Sequence, residues 1–195
     1  MEVLGQYTPS MSAPRPTCVT RAQFDHLVAS GTLDEDDRVE LIAGIIYAPA
    51  PPGPKHIARV NRLQKSLIHA LKDRAIISTQ NPIALSEFSE PQPDIAVLKS
   101  VRDYYENRLA QPADGFFVIE VSDATLDFDR DTKMPLYTAC DITEAWLLDV
   151  SARCLTVFRK PEGNRYTEQT SYGPTDQIPL TAFPGESIVA SDLGL

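Results

Sequence analysis

Residues 116–150 read FFVIEVSDATLDFDRDTKMPLYTACDITEAWLLDV: an apolar run, a polar stretch and a second apolar run. FFVIEV (116–121) and AWLLDV (145–150) are continuously hydrophobic, as strands covered on both faces are. Between them, Lys133, Leu136, Tyr137 and Cys140 recur at helical spacing, which predicts a helix near 130–140. A strand, a helix and a strand in this order predict two parallel strands joined by a right-handed crossover. Pro135 places the start of the helix just before it, because the first turn has no use for the missing N–H; Asp131 or Thr132 would then be the N-cap.

Upstream, PDIAVL (93–98) and AIISTQNPIAL (75–85) read as further strands. Before them the period changes to 3.6, with Ile57, Val60, Leu63, Leu67, Ile68 and Leu71 on one face of a helix over 55–71. From residue 55 the order is therefore helix, strand, strand, strand, helix, strand. RCLTVFR (153–159) adds a strand, and 165–172 and 187–190 add shorter edge strands. The fold class is α/β, or α+β: a mixed sheet with helices packed on it.

Towards the N-terminus, APAPPGP (48–54) is a rigid connector and RVELIAGIIYA (38–48) a hairpin. Asp34 to Asp37 form an acidic loop. Thr20 and Gln23 make a capping box for a short helix carrying Phe24, Leu27 and Val28 and ending at Gly31. Residues 1–19, with Pro9, Pro14 and Pro16, form an arm, and 20–195 form one domain with a core of about 55–150.

The chain has 195 residues and a formal net charge of −9, which fits one domain with a full core and argues against a basic nucleic-acid coat. No run reaches the roughly 18–20 apolar residues of a membrane span. MEVLGQYTPS lacks the pattern of a signal peptide, and three scattered cysteines make no disulfide framework or zinc site. A cytoplasmic location is expected. The charge is uneven, because residues 55–74 hold Lys55, Arg59, Arg62, Lys65, Lys72 and Arg74 against the single acid Asp73. That face can contact phosphates or simply be a solvated helix face.

Asp94 and Glu120 stand in apolar strand segments, where a carboxylate is costly unless it is paired, protonated or bound to metal. Strand alternation puts Asp94 on the face of Ala96 and Leu98, and Glu120 on that of Phe116 and Val118. On neighbouring strands the two converge, and two hard oxygen donors suit Mg²⁺ or Mn²⁺. Lys133 lies on the sheet-facing stripe of the following helix, from which its amine reaches back to the same strand end or snorkels to solvent. Two carboxylates and a lysine are the parts of metal-assisted phosphodiester hydrolysis.

The segments QPDIAVL, FFVIEVSD and DRDTKMPLYTACDITEAWLLD, with VELIAG and GPKHIARVNRLQKSLIHAL before them, resemble the Uma-type restriction endonucleases of the PD-(D/E)XK superfamily. The resemblance spans about residues 20–160. It implies a restriction-endonuclease-like fold, DNA as substrate, Asp94 and Glu120 as metal ligands and Glu40 as a third acid. Ser122 stands where the superfamily motif has its lysine, and Lys133 matches a lysine displaced onto the next helix. Cys140-Asp141-Ile142 replaces a glycine-containing turn. His56, at the start of the long helix, reads as a site residue or as a capping histidine. Gln80 reads as a water-orienting group or as an ordinary strand residue. Lys55, Arg59 and Arg62 are candidate DNA contacts. Cutting both strands would call for two sites, hence a homodimer. The alternative is an inactive nucleic-acid-binding or assembly module that retains the fold, supported by the serine at 122.

Overall fold

The computed structural model describes residues 17–33 and 38–195. Most of the predicted arm and the whole acidic loop 34–37 lie outside the described residues. Helix α1 (Arg21–Ala29) begins at Thr20 with both halves of the capping box formed. Strands β1 (Glu40–Ile42) and β2 (Ile45–Tyr47) make the hairpin. Its turn needs two positive φ values, taken by Ala43 and Gly44, and Cys18 packs so closely over Gly44 that a side chain there would collide with it. Helix α2 (Pro54–Leu71) follows the proline connector, with Pro54 at its first turn.

Strands β3 (Ala75–Thr79), β4 (Ile95–Lys99), β5 (Gly115–Ser122), β6 (Glu144–Asp149), β7 (Cys154–Glu162) and β8 (Arg165–Tyr172) form one six-stranded sheet in sequential order. All neighbours are antiparallel except β5 and β6, the parallel pair expected from residues 116–150. Strand β8 is a full-length edge strand of this sheet, whereas β9 (Gln177–Pro179) and β10 (Ser187–Val189) pair only with each other.

The sheet is covered on both faces. Val60, Leu63, Leu67 and Leu71 of α2 meet Val97, Ile119, Trp146 and the C-terminal segment on one side. Met134 and Tyr137 meet Ala96, Leu98, Val118 and Leu147 on the other. Each fully buried aliphatic side chain contributes roughly 1.5–3 kcal/mol, so these layers fix the strand ends to which the polar groups are attached. Ile57 and Ile68, read from periodicity as core, are 45% and 51% exposed, since the buried stripe of α2 is narrower than its apolar stripe.

Four further expectations are corrected. The strand predicted over 75–85 stops at Thr79, because Gln80 takes a φ of 54°, which a strand cannot carry. Asp94 sits immediately before β4 rather than within it. A register shift between β4 and β5 takes Phe116 off the face of Val118, and it packs against Phe183 on the other side. The crossover helix α3 starts earlier than Pro135 implied. It comprises an α turn Leu126–Phe128, a π-helical segment Asp129–Lys133 and an α segment Met134–Ala139, with Thr125 at its N-cap. The wide π turn relieves the clash of the Pro135 ring with the preceding turn, so proline is tolerated deep in the helix. At the exit of α3, Asp141 takes the left-handed φ of 60° that a glycine turn would supply.

Candidate active site

The ends of β4 and β5, the start of β1, the first turn of α2 and the π segment of α3 meet around a cavity of about 160 Å³. Glu40, Asp94, Glu120, Asp129 and Lys133 line it, each no more than 6% exposed.

Asp94 is fixed on every side. His56 Nε2 lies 2.9 Å from Oδ1, Gln80 Nε2 donates to the same oxygen at 3.1 Å, and the Val121 N–H donates to Oδ2 at 2.9 Å. Burial pushes this carboxyl up, but the histidine and the two N–H donors outweigh it and hold the acid below its ordinary range. His56 moves the other way. Burial pulls it down, and the Asp94 carboxylate more than reverses that, favouring the imidazolium.

Lys133 Nζ stands 2.9 Å from Glu40 Oε1 and 3.2 Å from Glu120 Oε1. Burial disfavours its charge, yet Glu120, Glu40 and Asp129 together keep it firmly protonated. The Gln92 N–H donates to Glu40 at 2.7 Å, which ties the hairpin strand to the segment preceding Asp94. Glu120 also accepts a hydrogen bond from the Tyr137 hydroxyl. Its carboxyl is driven well up, first by burial and then by Asp129, Asp94 and Glu40, against the pull of Lys133. Asp129 accepts from Ser122 Oγ at 2.7 Å and from Thr125 Oγ1 at 2.6 Å, both at Oδ2.

Glu40, Asp94, Glu120 and Lys133, grouped from the sequence, are thus one cluster, and His56 and Gln80, each read with a second option, join it at Asp94. Gln80, read there with an ordinary strand residue as one option, is a direct partner of Asp94. Asp129, Tyr137 and Gln92 were missed. Asp129 carried a usable signal, since it lies four residues before Lys133 and so on the same helix face. Lys55 is exposed at the start of α2. Arg59 and Arg62 do not line the acidic cavity. The Arg59 guanidinium packs against Gly194, where a side chain would meet Nη1 at 2.0 Å. Arg62 borders a separate groove of about 600 Å³ with Lys65, His69 and Asp192.

Among the described residues no three His, Cys, Asp or Glu side chains are close enough together to form a ready-made metal cage. The donor set nevertheless fits a hard divalent cation. Four buried carboxylates face one lysine and one histidine, and after burial itself the neighbouring acids Asp129, Asp94 and Glu40 add to the upward drive on Glu120. Mg²⁺ and Mn²⁺ need only one or two carboxylates, with water completing the shell. No helix among the described residues is long and apolar enough to cross a membrane.

A family model named Uma2 and described as "Putative restriction endonuclease" matches residues 21–191. Among solved structures, the chain is similar to a protein from Anabaena variabilis described as a putative nuclease belonging to DUF820. The two share 19% identity with a TM-score of 0.68, and the match covers 90% of this chain and 97% of that one. At that identity the likeness shows the fold, which is restriction-endonuclease-like. No curated protein matches.

Proposed function

Because the chain belongs to the Uma2 family, we propose that it is a divalent-metal-dependent endonuclease that hydrolyses phosphodiester bonds of DNA. The observation that carries this reading is the acidic cavity, where Asp94 and Glu120 at the ends of adjacent strands meet Glu40 of the hairpin and Asp129 and Lys133 of α3, all of them buried. Asp94 and Glu120, with Glu40 beside them, are the residues that would hold Mg²⁺ or Mn²⁺. The ion would polarise a phosphoryl oxygen and favour hydroxide formation from water.

The chain's own groups then divide the remaining work. His56, Gln80 and the Val121 N–H fix the orientation of Asp94, so that its geometry is set before a ligand arrives. Lys133 is held as an ammonium between Glu40 and Glu120, so it cannot take a proton from water. Its charge is suited to stabilising negative charge that develops on the phosphoryl group. The lysine absent at position 122 is the support for an inactive module, and the presence of the Lys133 ammonium in the same cluster favours the enzyme. Double-strand cleavage would pair two such sites, so a homodimer is part of the proposal.

Supercoiled plasmid incubated with the purified protein and Mn²⁺ should be nicked or linearised. Chelation of the metal should stop the reaction. Intact plasmid at every protein and metal concentration would refute the nuclease reading. Sedimentation velocity tests the dimer separately.

A further inference from the structure

Resting on the nuclease reading, the geometry points to Asp129 as the group that takes the proton of the attacking water, with Ser122 and Thr125 as its positioning residues. Three observations carry the assignment. First, Asp129 is 4% exposed yet lines the acidic cavity, and it sits in the π-helical segment Asp129–Lys133, an irregularity that recurs at functional sites. Second, both hydroxyl donors converge on Oδ2, so the carboxylate plane is fixed while Oδ1 has no bonding partner among the described residues. Third, the other acids of the cluster have other tasks, Glu40 and Glu120 each holding Lys133 through Oε1 and leaving only Oε2 for a cation. Lys133 spans Glu40 and Glu120, Asp94 accepts bonds at both oxygens, and His56 directs Nε2 at Asp94. Asp129 is bound by neutral hydroxyls and by no cation within ion-pair distance among the described residues, so its charge is not offset by an ion pair.

The departure at Ser122 acquires a role in this arrangement. The position where the superfamily motif has a lysine carries instead the hydroxyl that holds the proton acceptor. In the step, the water oxygen forms a bond to phosphorus and the ester P–O bond breaks. The water proton passes to Asp129 Oδ1. The leaving oxygen keeps the electron pair of the broken bond and takes a proton from solvent water, and Asp129 later releases its proton to solvent.

The test is single-turnover cleavage of end-labelled duplex DNA with Mn²⁺, alongside calorimetric titration of Mn²⁺ and measurement of DNA affinity. D129N is expected to lower the cleavage rate by roughly 10²–10⁴-fold, the usual contribution of a general base, with Mn²⁺ and DNA affinities within about threefold of wild type. S122A and T125A keep the carboxylate and are expected to lower the rate about tenfold each without weakening DNA binding, because orientation contributes to rate. If D129N does not fold, these two variants decide the matter, and unchanged rates in both overturn the assignment. A D129N protein that cleaves like wild type also overturns it, as does one whose Mn²⁺ affinity collapses, which would make Asp129 a ligand. In each of those cases the wild type still cleaves and the nuclease reading survives. A wild type that cleaves nothing removes both.

Discussion

Two of the buried charged clusters among the described residues are built on opposite principles. In the first, Glu144 on β6 accepts from Arg159 Nε at one oxygen and from Trp146 Nε1 at the other, both at 2.6 Å. Its one negative charge meets one positive charge, and the indole N–H is satisfied by the same carboxylate. The second cluster sets Glu40, Asp94, Glu120 and Asp129 against Lys133 and His56 beside a cavity of about 160 Å³. Burial of charge is common to both and so does not mark a site. Uncompensated charge beside an open cavity distinguishes the second, and such an arrangement is maintained at a cost in stability when it serves binding or chemistry.

The contrast can be broken most severely at Lys133. K133M should lower the cleavage rate by roughly 10²–10³-fold, the scale of losing one preorganised charge-stabilising group. It should also destabilise the protein at pH 8 more than at pH 5, because Glu120, already driven up by burial, loses the ammonium that favours its charged form, so stability falls further as pH rises; urea unfolding at both pH values checks this. A rate within threefold of wild type would remove Lys133 from the mechanism.

The balanced cluster should respond in stability alone. E144A strands a half-buried guanidinium and an indole N–H, and should cost about 3–5 kcal/mol of unfolding free energy. Cleavage at temperatures where the variant is folded should be unaffected. E120Q, by comparison, puts a neutral group where burial already disfavours the charged carboxylate and should leave stability unchanged or raised while cleavage is lost. Equal destabilisation by the two substitutions would erase the distinction between the clusters.

A smaller effect is expected at Glu90, a buried acid outside both clusters whose Oε2 lies 3.9 Å from Arg21 Nε. Burial, followed by the charge of Asp25, pushes its carboxyl up to about 7. A folded-state pKa above the unfolded value means that the proton is held more tightly in the native state. Stability is then full below about pH 4.5 and is lost as pH rises through 7, by roughly 3 kcal/mol at 1.36 kcal/mol per pH unit. E90Q should therefore raise the melting temperature at pH 8 and have little effect at pH 4.5. An equal shift at both pH values would contradict this. The smallest effect belongs to the groove beside α2. R62A and K65A should each reduce the slope of log DNA affinity against log salt by about 0.9 if those side chains contact phosphates, and leave it unchanged if they do not.

Much of this architecture was legible in the sequence because the strands are covered on both faces. A continuous apolar run such as FFVIEV then admits few readings, and a carboxylate within it is conspicuous. The order from α2 to β6 and the parallel pair could be read for that reason. Periodicity could not show how much of an apolar helix stripe is covered, so Ile57 and Ile68 were misplaced. A proline rule that assumes regular α-helix put the start of α3 too late, since a π segment leaves no distinctive composition. Asp129 was passed over because the predicted helix began after it, although its place four residues before Lys133 was a usable signal. Gln80 gave no sign that a left-handed backbone would turn its side chain onto Asp94.

The most direct test of the acidic cavity as a metal-dependent catalytic centre is calorimetric Mn²⁺ titration of wild type, D94A, E120Q and E90Q, with plasmid cleavage followed on the same samples. Wild type and E90Q should bind Mn²⁺ and cleave, whereas D94A and E120Q should lose both binding and cleavage while remaining folded. Mn²⁺ binding and cleavage that persist equally in all four proteins would contradict the account.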